Sequence, residues 1–123
     1  PTDAEWMMLE RHLGMDAGEL EGLENWRGHA GELLKTGEQG IGFDALYGGA
    51  AVYALSTAYN SRYVYKNEGA YFWSSDQIVI SDSLSNGIVR NISLYHSGIR
   101  RMTSRLISTT ENVRPSYSVR LVK

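Results

Sequence analysis

Ile88-Val89-Arg90-Asn91-Ile92-Ser93-Leu94-Tyr95 is the stretch on which the fold turns. It alternates loosely, with Ile92 and Leu94 on one side and Asn91, Ser93 and Tyr95 on the other, the period of two that a strand requires. Asn86-Gly87 before it and Ser97-Gly98 after it are hairpin-turn signals. Working outward, aromatic and β-branched residues mark further strands at Ala70–Ser74, Ile78–Ile80, Ile99–Leu106 and Tyr117–Val122. The second half therefore reads as an antiparallel meander of short strands.

The first half follows a different period. Thr2-x-x-Glu5 is a capping box, and Trp6, Leu9 and Leu13 recur at helical spacing up to a stop at Gly14. Asp16-x-x-Glu19 repeats the capping logic before Leu20 and Leu23, and a further helical stretch is expected from about Asn25 to Lys35. Each helix start carries an acid, which suits the positive end of the helix dipole and needs no catalytic explanation. From Gly37 to Gly49 glycines punctuate a loop region around a short strand-like Phe43-Asp44-Ala45-Leu46. Helices first and strands later is the α+β pattern, in a single domain over 1–123.

Composition excludes more than it assigns. No apolar run approaches the ~18 residues of a membrane span; the longest patch is Ala50 to Leu55. The absence of cysteine excludes disulfides and thiolate zinc sites. The formal charge is −2, spread unevenly: residues 1–73 hold 11 acids and 5 bases, residues 74–123 hold 3 acids and 7 bases, six of them arginine. An arginine-decorated second half suits planar, bidentate contacts to a ligand. It lacks the lysine-rich stripe that nucleic acid would call for, so no nucleic-acid partner is expected. The chain begins at Pro1 rather than Met, and an upstream part is expected to precede it.

Six segments then fall in a recognisable order. They are Pro1 to Trp6, Ala30 to Lys35, Gly42 to Gly49, Phe72-Trp73-Ser74-Ser75, Arg90 to Tyr95, and Ser116 to Lys123. Together they resemble the Fibrobacter succinogenes major paralogous domain family of bacterial surface proteins. The resemblance implies a C-type-lectin-like fold, with two N-terminal helices followed by short twisted antiparallel sheets with long loops. It also implies an extracellular or cell-surface location, with a lipid anchor carried by the missing N-terminal part. Two departures stand out. Leu121 occupies a place where family members often have cysteine, and the strand that usually precedes the Pro1 motif is missing, which leaves a sheet edge open. The calcium-lectin sugar signatures are absent, and Pro1 and Pro115 are the only prolines. No calcium, other metal or cofactor is therefore expected.

Catalytic patterns are equally thin. Formylglycine-generating enzymes share the general fold but use cysteine, which this chain lacks. No Gly-x-Ser-x-Gly elbow and no His-x-x-x-His pair occur. His12 and His29 read as helix residues; His96, beside Tyr95 and the Ser97-Gly98 turn, is the histidine placed near a ligand surface. Asp44, Asp76 and Asp82 read as turn and cap residues. Trp6 and Trp73 read as core. Tyr47, Tyr53, Tyr59, Tyr63 and Tyr65 are spaced through a polar loop, where tyrosine supplies rigid, amphipathic contact area.

One compositional shift adds a sharper possibility. Lys, Glu, Gln, Met and Trp supply 17 of the first 73 residues, but only Gln77, Met102 and Glu111 among the 45 from Ser74 to Ser118. Codons ending in C or T cannot encode those five types, so adenine-directed mutagenesis of asparagine codons would leave this trace. Lectin-fold proteins resembling this family include the variable receptor-binding proteins of diversity-generating retroelements. Strands also disfavour Glu and Lys on their own account. The reading that results is a non-enzymatic extracellular domain that binds a glycan or cell-surface protein through its second half. The expected contact residues are Asn91, Tyr95, His96, Arg100, Arg101 and Arg105, with Ser81, Asp82 and Asn86 on adjacent loops. Arginines would anchor acidic or hydroxyl-rich groups and Tyr95 would stack. A variable retroelement protein and a structural or adhesive component of a surface assembly are the alternatives; an enzyme ranks after both.

Overall fold

The computed structural model describes residues 1–38, 40–54, 61–81, 84–105 and 113–120. Helix α1, Asp3–His12, starts at the expected capping box: Glu5 N donates to Thr2 Oγ1 at 3.1 Å, and Thr2 N donates to Glu5 Oε2 at 2.7 Å. It ends at Leu13, and Gly14 takes the left-handed φ of 92° that releases the chain.

The next stretch departs from expectation. Asp16 to Gly22 forms hydrogen-bonded turns rather than a helix, with Glu19 N donating to Asp16 O and Gly22 N to Glu19 O. Asn25 to Lys35 splits into a two-residue strand β1, Trp26–Arg27, and a short helix α2, Ala30–Leu34. Glu24 at φ 64° and Gly28 at φ 49° break the helical path on either side of β1. Gly31 explains where α2 sits: a Cβ there would lie 2.1 Å from Gly98 O, so the helix backbone rests directly on the turn before β6.

Six more strands follow: β2 Ala50–Ala54, β3 Ser61–Val64, β4 Gly69–Ser81, β5 Leu84–Ser93, β6 Ile99–Arg105 and β7 Val113–Ser116. They form two antiparallel sheets, ordered β1-β6-β5-β4 and β3-β2-β7. The architecture is thus α+β, mostly sheet with two short helices among the described residues. Ala70–Ser74 and Ile78–Ile80 are joined in one long β4, whose register shifts between Trp73 and Gln77. Asn86-Gly87 is not a turn: both residues lie inside β5, paired to Ile78 and Gln77 on one side and to Arg105 and Ser104 on the other. Pairing on both flanks overrides a local turn preference. The polar loop assigned to the tyrosines contains β2 and β3, in which Tyr63 pairs with Ala51 and Tyr53 with Ser61; Tyr59 lies outside the described residues. Of the expected strand Tyr117–Val122, the described part makes a single bridge, Ser118 to Phe72, just after β7, and residues 121–123 lie outside the description.

The outer flank of β4 is not left bare. Its outer edge is paired piecewise: Gly49 N donates to Gly69 O, Ser118 N to Tyr71 O, Trp73 N to Ser118 O and Ser75 N to Pro1 O, all within 3.0 Å.

One side of the four-stranded sheet holds the core. Ala70, Phe72, Ile92 and Ile99 pack there with Trp6, Met15, Ala30, Leu34 and Ala45. Trp6, Phe43 and Phe72 form a triangle with ring centroids 5.7 to 6.0 Å apart. Trp6 is core as expected, whereas Trp73 is half-buried on the opposite side of the sheet against Tyr117. No helix among the described residues is long and apolar enough to cross a membrane.

Candidate functional site

Alternation along the strands gives the two faces of the sheet different chemistry. Arg27, Ile99, Ile92 and Ala70 stand in one row across β1, β6, β5 and β4 and are all buried against the helices. The adjoining row, Trp26, Arg100, Asn91 and Tyr71, is in register one residue away and so points to the other side. That row floors a groove of about 400 Å³. Val52 and Val64 of the second sheet form part of its wall, and Glu68, Tyr95 and His96 contribute from the connections.

Aromatic rings cluster at both ends of the row. At the β1 end Trp26 and His96 stack with centroids 4.3 Å apart and planes 13° apart. At the β4 end Tyr71 stacks on Tyr117 at 5.4 Å and lies 6.0 Å from Tyr65. The β3–β4 connection places Tyr65 through a left-handed φ of 57°, fixed by bonds from Glu68 N and Gly69 N to Tyr65 O. Leu94 N donates to Glu68 O at 2.8 Å, which ties the turn bearing Tyr95 and His96 to that connection. Burial, together with Tyr65 and Tyr117, raises the Tyr71 phenol above its ordinary value, so it stays a neutral hydroxyl at physiological pH.

Polar groups between the aromatic ends are held rigidly. Arg100 donates through Nη2 to Glu24 Oε2 at 2.8 Å and through Nε to Glu24 O at 3.1 Å. Asn91 donates through Nδ2 to Ala70 O at 3.2 Å. Rigid aromatic area with a few fixed hydrogen-bonding groups is the chemistry of a recognition surface.

Asn91, Tyr95, His96 and Arg100, all expected as contact residues, converge on this groove. Asn91 differs from expectation in being buried, because it lies on the groove floor between two strands. Ser81 and Asn86 do not converge there; they belong to the distal part of the β4–β5 hairpin, Ser81 exposed and Asn86 half-buried within β5. Asp82 lies outside the described residues, and Arg105 is described only as the strand partner of Asn86.

Arg101 is a correction. It faces the core rather than a ligand, 7% exposed, donating through Nη2 and Nε to Asp3 and through Nη1 to Glu21 O. It belongs to a buried network with Asp3, Glu10, Arg27 and Arg90. Arg90 Nε donates to Glu10 Oε1 at 2.5 Å, Arg90 Nη1 lies 2.7 Å from Asp3 Oδ1, and Arg27 Nη2 donates to Glu10 Oε1 at 3.1 Å. Burial alone would raise the Asp3 carboxyl, but hydrogen bonds from Arg101 and the charge of Arg90 hold it below its ordinary value. The hydrogen bond from Arg101 to Asp3 raises the Arg101 guanidinium in turn. Burial lowers Arg27 despite Glu10, with Arg90 and Arg101 adding like-charge repulsion.

The sequence reading missed Trp26, Tyr71 and Tyr117 as groove residues. Period two along Gly69-Ala70-Tyr71-Phe72-Trp73 separates Tyr71 from the core residues Ala70 and Phe72, a signal present in the sequence. Trp26 had no such signal, because its two-residue strand sits in a stretch with helical character. Among the described residues no three His, Cys, Asp or Glu side chains gather as a metal site requires.

The family model of the Fibrobacter succinogenes major domain matches residues 1–123. The chain belongs to the Fibrobacter succinogenes major domain family. No curated protein and no solved structure matches it significantly. In this member of the family, the segment from Phe72 to Ser75 supplies both a core ring, Phe72, and a groove-side ring, Trp73. The segment from Arg90 to Tyr95 likewise supplies a buried ion-pair residue, Arg90, and the groove residues Asn91, Ser93 and Tyr95.

Proposed function

We propose that this domain is a non-enzymatic, extracellular ligand-binding module of a bacterial surface protein, with a C-type-lectin-like arrangement and its ligand site in the groove of the four-stranded sheet. The observation that carries this reading is the row Trp26–Arg100–Asn91–Tyr71, which combines stacked aromatic rings with polar groups held in place by the protein. Such pre-set groups lose little freedom on binding. The ligand is a glycan or a cell-surface protein.

The test is a screen of the purified domain against arrayed glycans and cell-surface proteins, beside a Trp26→Ala/Tyr71→Ala double variant. Binding by the parent and loss of at least tenfold in the double variant, with its melting transition retained, is the expected result. Equal binding by both would place the site elsewhere. Concentration-dependent self-assembly without ligand binding would favour a structural or adhesive component instead.

A second reading, a variable receptor-binding surface, is favoured by one observation. Asn91, Ser93, Tyr95, His96 and Arg100 all line the groove and all fall in the stretch nearly devoid of Lys, Glu, Gln, Met and Trp. Arg90 and Arg101 lie in the same stretch and are committed to the buried network. Diversification would therefore have to spare them. Sequencing the locus across many cells gives a clear outcome: changes confined to groove-facing codons support this reading, and an invariant stretch removes it.

A further inference from the structure

We infer that the groove takes a neutral, linear oligosaccharide laid across the strands, with about three linked sugar rings in contact. This deepens the ligand-binding reading above and rests on it. The length follows from the register. Trp26 and Tyr71 stand at opposite ends of a row through β1, β6, β5 and β4, which is three inter-strand steps of about 4.8 Å, or roughly 14 Å. A single sugar ring does not span the distance between the Trp26–His96 stack and the Tyr65–Tyr71–Tyr117 cluster, whereas about three linked rings do.

Neutrality follows from the charges. Glu68 and Arg100 are the carboxylate and guanidinium of the groove lining, one of each sign. The Arg100 guanidinium is already held by Glu24, so an anionic ligand would have to compete with that carboxylate. Hydroxyl groups need not compete: the remaining N–H groups of Arg100, the Asn91 amide and the phenols of the tyrosines offer both donors and acceptors. Sugar rings present apolar C–H faces to aromatic side chains and hydroxyls at their edges, which is the alternation the row provides. A peptide strand is a poorer occupant. The row lies on a sheet face, and the backbone groups of β5 beneath it are spent on β4 and β6, so a peptide lying along the groove gains no strand pairing there.

The experiment is calorimetric titration with three neutral series, β-1,4-linked glucose, mannose and xylose oligomers of one to six units. The expected result is binding of at least one series, with affinity rising from the monomer and levelling at about three or four units. Trp26→Ala and Tyr71→Ala should each weaken the long oligomers roughly tenfold and move the plateau, since each removes one end of the row. A monomer that binds as tightly as the trimer overturns the proposal, as does the absence of binding by all three series. If all three fail while an arrayed protein binds and the double variant loses it, the oligosaccharide is wrong and the groove stands. If an oligomer binds equally to the parent and both variants, the groove itself is wrong.

Discussion

Arg100 and Arg101 are neighbours on β6 and have opposite fates. Arg101 points to the helices, where it joins two carboxylates and two further arginines out of water. Arg100 points to the groove, half-buried, with one partially exposed partner in Glu24. The same contrast runs along β5, where Arg90 is fully buried and Asn91 floors the groove. One residue of phase decides whether a charge is part of the fold or part of a surface. The difference also has a magnitude. Removing one partner of a buried pair typically costs about 3–5 kcal/mol, whereas an exposed pair contributes about 0–1.

The largest expected break comes on the closed face. Glu10→Leu removes a fully buried carboxylate that contacts both Arg27 and Arg90, leaving three arginines with Asp3 alone. Urea unfolding should show a loss of about 3–5 kcal/mol, and a loss under 1 would mean that the network contributes little.

Acidification probes the same face without mutation. The Asp3 carboxyl lies below its ordinary value of 3.8 in the folded protein. The unfolded chain therefore binds the proton more readily, and stability rises with pH across that window. The contribution is complete above the unfolded value and is lost as pH falls through the lower folded one. Unfolding midpoints from pH 6 down to about pH 2 should decline in the parent, and Asp3→Asn should flatten the part of the slope below about pH 4. An unchanged slope in the variant would assign the acid sensitivity to other carboxylates.

Smaller changes sharpen the contrast by testing how the closed face is assembled. Gly31→Ala drives a Cβ into Gly98 O and should cost about 1–3 kcal/mol, read as a lowered melting temperature. A neutral result would show that α2 does not rest on the turn before β6. Thr2→Ala removes the cap of α1 and should cost about 1 kcal/mol, while Thr2→Ser should recover most of it.

The sequence disclosed the α+β order, the capping box of α1 and the body of β4, β5 and β6, because these elements carry strong local periods. It also brought Asn91, Tyr95, His96 and Arg100 together as contact residues, and they share one groove. What it concealed depends on distant partners. β1 exists because Trp26 and Arg27 find Arg100 and Ile99, more than 70 residues away, and nothing local favours a strand there. Asn86-Gly87 stays extended because β4 and β6 pair with it on both sides. The fate of Arg101 was hidden for the same reason, since its partner Asp3 lies 98 residues earlier in the chain. An arginine pattern in sequence does not separate a ligand anchor from a buried ion pair until the opposing carboxylate is placed.

The two adjacent arginines offer the most direct measurement. Urea unfolding of Arg100→Ala and Arg101→Ala, side by side at neutral pH, requires no knowledge of the ligand. Arg100→Ala should stay within about 1 kcal/mol of the parent, and Arg101→Ala should lose about 3 kcal/mol or more. Equal losses, or a larger loss at Arg100, would contradict the division of this sheet into a closed, ion-paired face and an open groove face.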